Sequence, residues 1–268
     1  MPLAGTAVRL PLLRRRAGRP QLKRDPLGGT DSMRRLGVAD FKAILLGDDH
    51  EARQAFLAAF PNRVGPIARA ASVAHNAIDQ FGRYVPENPR TRDVNLFLHG
   101  ALNSVVSSTH LLISCYPVAS HHLMRQFGEC CAMSMLCADE QSGVHERVQA
   151  APLRYPYHES LHRINRRNQA IRLRNLVGLD AAKWQQFQRL TEAYHHFSHA
   201  SIAVMTHYVK ESALGQQLII GSEYDGANRP WYSIELRRRR SALRSLARLA
   251  RSLRRAMPQR PRPVPRAA

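Results

Sequence analysis

Residues 93–116 read DVNLFLHGALNSVVSSTHLLISCY, and within them Val94, Leu98, Ala101, Leu102, Val105, Thr109, Leu112 and Ile113 recur at steps of three and four. That period gathers the apolar side chains on one face of a helix of about six turns. Pro117 follows at once, where a first-turn proline is tolerated because its missing N–H would have no partner anyway. Met124, Phe127, Cys131 and Met135 then continue the same spacing. Two amphipathic helices joined by so short a turn predict a hairpin with facing apolar stripes. The expected fold class is therefore all-α, a helical bundle of four to six core helices.

Working outward, a short helix is predicted near 39–47, and residues 50–60 and 66–83 show helical apolar spacing that stops at Pro61 and Pro86. Downstream, a long helix over 157–177 should end at Gly178 as a glycine cap. Asp180 should cap the next, which carries Trp184, Phe187, Leu190 and Tyr194. Helical spacing continues through Ile202, Met205 and Val209, whereas Gln217 to Ile220 reads as a short strand or extended crossing. Helix resumes from Pro230 to about Ala256. The organisation predicted is a disordered basic extension over 1–36, an all-helical domain over 37–235, and an Arg-rich amphipathic helix with a Pro/Arg tail over 236–268. The composition changes just before Met33, which marks that methionine as an alternative start.

The formal charge of +20 on 268 residues resembles that of a nucleic-acid binder until it is divided along the chain. Residues 1–36 carry +7 and residues 237–268 carry +12, which leaves about +1 for everything between. The basic character thus belongs to the two ends. In the last helix Leu236, Leu243, Leu246, Ala250 and Leu253 share one side and Arg fills most of the remainder. Such a helix could lie on an anionic membrane surface, bind nucleic acid, or dock on the body with its arginines in solvent. The partners expected for the Arg237 to Arg266 segment are accordingly a nucleic acid or an anionic surface.

Cys115, Cys130, Cys131 and Cys137 contain no CxxC pair, and neighbouring Cys130 and Cys131 point apart, so a reduced, cytoplasmic protein is expected. The N-terminus interrupts its apolar runs with Arg9 and Arg14 to Arg16, unlike a secretion signal. No transmembrane segment is expected either, because the apolar windows contain His99, Asn103, His110, Arg125 and Glu129.

The candidate chemistry centres on Tyr194-His195-His196-Phe197-Ser198-His199, where His195 and His199 lie four apart on one helical face and could share a phosphate or a proton. No Gly-rich phosphate loop, zinc-type spacing or nucleophile elbow accompanies them, and no cofactor is expected. Glu159-x-x-His162 and Glu192-x-x-His195 match the ExxH pairs that supply half of a dinuclear site in ferritin-like bundles, which is one alternative. A second is metal-independent RNA cleavage, in which an arginine stabilises the phosphorane and a histidine moves the 2′-hydroxyl proton. Arg189 before His195, and Arg92 before His99, have the spacing, although Leu190 stands where a polar residue is usual. Finally, Arg125 and Glu129 lie one turn apart on a largely apolar helix, and a buried pair there would reach across to the Tyr194 segment to complete a polar network.

The Arg125-x-x-x-Glu129 helix, Tyr194-x-x-x-Ser198-His199-x-Ser201 and the Gly221-Ser-Glu-Tyr-Asp225 turn together resemble a broad group of uncharacterised bacterial all-helical proteins. That group is known as a domain of unknown function, and some members are HEPN-like in helix arrangement. The resemblance covers roughly residues 93–235. It implies an α-helical cytoplasmic fold with a polar centre built from Arg125, Glu129, Tyr194, Ser198 and His199, and it implies no particular reaction.

Overall fold

The computed structural model describes residues 49–150, 164, 167–197, 209–212, 215–218 and 221–258. The expectations for 1–36, for the short helix near 39–47 and for the start of the 157–177 helix lie outside them. Among the described residues the chain forms eight α-helices: α1 His50–Ala59, α2 Val64–Tyr84, α3 Pro89–Ile113, α4 Pro117–Ala138, α5 Val144–Ala150, α6 Arg167–Leu176, α7 Ala181–Phe197 and α8 Arg229–Ala256. One two-stranded antiparallel ribbon, β1 Val209–Ser212 and β2 Gly215–Leu218, pairs Val209 with Leu218. Val209, expected to be helical, lies in this ribbon, where its backbone pairs with that of Leu218. The architecture is an all-α bundle.

The α3–α4 hairpin forms the most extensive helix pair. Its turn is a Schellman motif: Tyr116 N donates to Leu111 O (2.8 Å) and Cys115 N to Leu112 O (3.1 Å), with Cys115 left-handed at φ 60°. A residue with a Cβ bears about 1 kcal/mol of strain there relative to glycine. Buried Ser108 and Ser120 then cross-link the hairpin, each hydroxyl donating to the other residue's carbonyl at 2.7 Å. The small serine side chains let the two backbones approach closely.

Helix α3 begins four residues before Asp93. Asn88 and Thr91 form a capping box, each side chain accepting from the other's backbone N–H at 2.9 Å, and Pro89 sits in the first turn. Asp93 instead turns inward and accepts from Gln149 Nε2 (2.6 Å), with His145 Nδ1 at 3.0 Å, which ties α5 to the start of α3. The glycine cap at Gly178 and the Asp180 cap, whose carboxylate accepts from Lys183 N at 2.8 Å, stand where the sequence placed them.

Helix α8 lies along α2 and touches α3, while α7 packs on α4. Leu236, Leu243, Leu246, Ala250 and Leu253 are all buried, so of the three placements open to this helix the structure has it docked on the body. The boundary expected at 235/236 falls inside one continuous core helix. At its N-terminal end Phe56, Phe60, Tyr224 and Tyr232 form an aromatic cluster, with Phe56 to Tyr232 at 5.1 Å edge to face and Tyr224 stacked on Tyr232 at 5.8 Å. Tyr116 donates its hydroxyl to Asp49 at 2.8 Å beside the start of α1. Among the described residues only α3 is long and apolar enough to cross a membrane, and half of that stretch is buried in the bundle.

Phe56 joins α1 to α8 through this cluster and is fully buried. Phe56→Ala should therefore lower the unfolding free energy by about 3–5 kcal/mol, measured by urea titration.

Candidate functional site

Helix α8 contains a single acidic residue, Glu235. One turn later Arg239 falls between Leu236 and Leu243 in the apolar register, so the helix that buries its leucines must bury this pair as well. Both side chains are 0% exposed. Arg239 donates to Glu235 Oε2 at 2.7 Å, to the Glu235 carbonyl at 3.0 Å and, across to α4, to the Ser120 hydroxyl. The carboxylate also accepts from Tyr194 of α7 (2.9 Å) and from Arg238 (2.6 Å). His121 of α4 lies with Nε2 3.4 Å from Glu235 Oε2, wedged between the rings of Tyr194 at 5.5 Å and Trp231 at 5.2 Å. Three helices thus converge on one buried carboxylate.

Burial opposes ionisation of Glu235, yet the His121 ring and the guanidiniums of Arg239 and Arg238 hold its carboxyl well below the usual range. Burial, the largest influence on His121, lowers its pKa, with Arg239 and Arg238 acting in the same sense and Glu235 against it. The stable arrangement is an ionised Glu235 facing a neutral His121. Burial also pushes the Tyr194 phenol well up, with the Glu235 charge adding to it.

The structure distributes the sequence candidates differently. Arg125 and Glu129 do pair, Nε to Oε1 at 2.9 Å, but each side chain keeps 20% exposure. Tyr194 is buried as expected and gives its hydroxyl to Glu235 of α8. His195 belongs to α7, but its side chain lies outside the described residues, as do Ser198, His199 and Ser201. Of the ExxH residues, Glu159 and His162 lie outside them too, and Glu192 is exposed, whereas a dinuclear site needs it to project into the core. Among the described residues no group of three or more His, Cys, Asp or Glu is placed to hold a metal ion. Arg189, Arg92 and His99 are all exposed. Burial and neighbouring His75, whose ring lies 6.4 Å away, lower the His99 pKa against the pull of Asp79. The cysteines are free, and burial pushes the Cys130 thiol up to about 11 and those of Cys115 and Cys137 to about 12. They behave as core residues.

Ser108, Ser120, His121, Glu235 and Arg239 did not emerge from the sequence as a site. The available signal was the step of seven from Leu236 to Leu243, which leaves an inward position to Arg239 or Arg240, and burial by the neighbouring helices picks out Arg239.

On the opposite side of α8, Arg237, Arg244, Arg248, Arg251 and Arg255 are exposed. Their steps of seven, four, three and four keep them in one narrow stripe, about 27 Å long at the helical rise. Arg254 leaves the stripe for Gln80 (3.0 Å) and the face of Tyr84 (5.5 Å) on α2. Comparison with protein families, curated proteins and solved structures finds no match to this chain.

Removing Glu235 leaves Arg239 buried without its counter-charge. Glu235→Ala should destabilise the protein by about 3–5 kcal/mol, and Glu235→Leu/Arg239→Met should recover most of that loss, both read by chemical denaturation. The depressed His121 pKa gives a second expectation. Its contribution to stability is complete above the ordinary imidazole value of 6.5 and is lost as pH falls below it toward the folded-state value. The melting temperature should thus drop between pH 7 and pH 5, and drop less in His121→Gln.

Proposed function

We propose that this is a bacterial cytoplasmic helical protein that binds the phosphate backbone of nucleic acid along the outer face of α8. The observation that carries this reading is the stripe of five exposed arginines on a helix whose one acid is buried. Phosphate contacts draw their free energy from counterion release and need no base-specific geometry. A straight row of guanidiniums matches that requirement. Because the inner face is locked by Glu235 and Arg239, the row stays turned toward solvent without induced order. The basic segments at both ends of the sequence would add further phosphate contacts, and the resemblance to HEPN-like helical proteins favours the same class of ligand.

The test is the salt dependence of binding to a mixed-sequence DNA duplex, compared between the full chain and Arg237→Ala/Arg244→Ala/Arg251→Ala/Arg255→Ala. Each phosphate contact contributes about 0.9 to the slope of log K against log salt, so four lost contacts should flatten it by about 3 to 4. The melting temperature should be unchanged. An equal slope in the two proteins would refute the assignment. The metal-independent ribonuclease alternative predicts instead that RNA in EDTA is cleaved and that His199→Ala stops it.

A further inference from the structure

A cleft of about 310 Å³ opens between α4, α7 and α8. Phe127, Cys131 and Met135 of α4 line it, with Trp184, Phe187 and Leu190 of α7 and Leu246 and Leu249 of α8. The polar groups around it are four cations, Lys183, Arg189, Arg238 and Arg248, with Gln186 and the serines 241, 245 and 252. Among the described residues no carboxylate lines it. Lys183 is bonded to its capping Asp180, and Arg238 gives one nitrogen to Glu235, whereas Arg189 and Arg248 are exposed. The cleft follows α8 from Arg238 to Ser252, about 21 Å at the helical rise.

We propose that this cleft binds a medium-chain fatty acid, an unbranched alkyl chain ending in one carboxylate. Three properties converge on that class. Apolar side chains from three helices line the cleft, which calls for a hydrocarbon rather than a sugar or a nucleobase. The charged side chains among the described lining residues are all cations, two of them, Arg189 and Arg248, exposed, which calls for an anionic head. The space is small: at about 30 Å³ for each water-sized group, its roughly 310 Å³ accommodates about ten carbon-sized groups. The indole N–H of Trp184 is buried at the wall of the cleft and has no hydrogen-bond partner among the described residues. Trp184 therefore also offers a spectroscopic report of occupancy. This site is separate from the arginine stripe except at Arg248, so the two proposals stand or fall independently.

The experiment is calorimetric titration of the full chain with hexanoate, octanoate, decanoate and dodecanoate at pH 7.5 and 0.15 M salt, with decanol as the uncharged control. Binding should be one to one, tighten about three- to fourfold per added methylene, level off near ten carbons and shift the Trp184 emission. Ser245→Trp should block the cleft from its exposed side and abolish binding without changing the melting temperature. Arg189→Glu/Arg248→Glu should weaken decanoate at least tenfold and leave decanol unaffected. Absence of alkanoate binding at millimolar concentration, or binding that survives Ser245→Trp, would overturn the assignment of the site. Decanol binding as tightly as decanoate would overturn the anionic head group.

Discussion

Placing the Glu235 carboxylate and the Arg239 guanidinium together in the bundle interior fixes which way α8 faces. A helix with leucines on one side can rotate by a few tens of degrees at modest cost, since apolar packing is only weakly directional. A buried carboxylate that accepts from α7 and an arginine that reaches Ser120 of α4 tolerate no such rotation. Each lost bond would leave a charged or polar group unpaired away from water. The net free energy of such a pair is small against an apolar replacement, but its specificity is high.

That orientation divides α8 into three sides. The inner side carries the leucines and the ion pair, one flank lines the α4–α7–α8 cleft, and the outer side carries the arginine stripe. Arg238 stands at the junction of the first two, bonded to buried Glu235, stacked 6.0 Å from the Tyr194 ring, and exposed to the cleft. The cleft and the buried cluster therefore meet at a single side chain.

The α3–α4 hairpin supplies the frame against which this helix is set. Its serine pair fixes the interhelical distance, and Ser120 then serves both the hairpin and Arg239. The hairpin, the aromatic cluster and the terminal helix are thus coupled by a few polar groups within a largely apolar core.

The sequence by itself determined the longer helices, though not the short α5, Val144–Ala150: their apolar periods, the prolines at their starts, the Asp180 and Gly178 caps and the stripe packed inward from each. These are local properties, set by side chains three and four positions apart and by backbone preferences of single residues. The apolar period placed the start of this α3 helix at Asp93, whereas the Asn88–Thr91 capping box opens it four residues earlier. Which polar residues meet was decided only in three dimensions. Arg125-x-x-x-Glu129 and Glu235-x-x-x-Arg239 have the same spacing in opposite order, yet the first lies at the edge of its helix with partial exposure and the second at the bundle's centre. Nothing local separates them, since burial of a helix position depends on which neighbouring helices cover it. His121 looked like one histidine among thirteen, and it acquired its role from Tyr194, Trp231 and Glu235, residues 73 to 114 positions away in the chain.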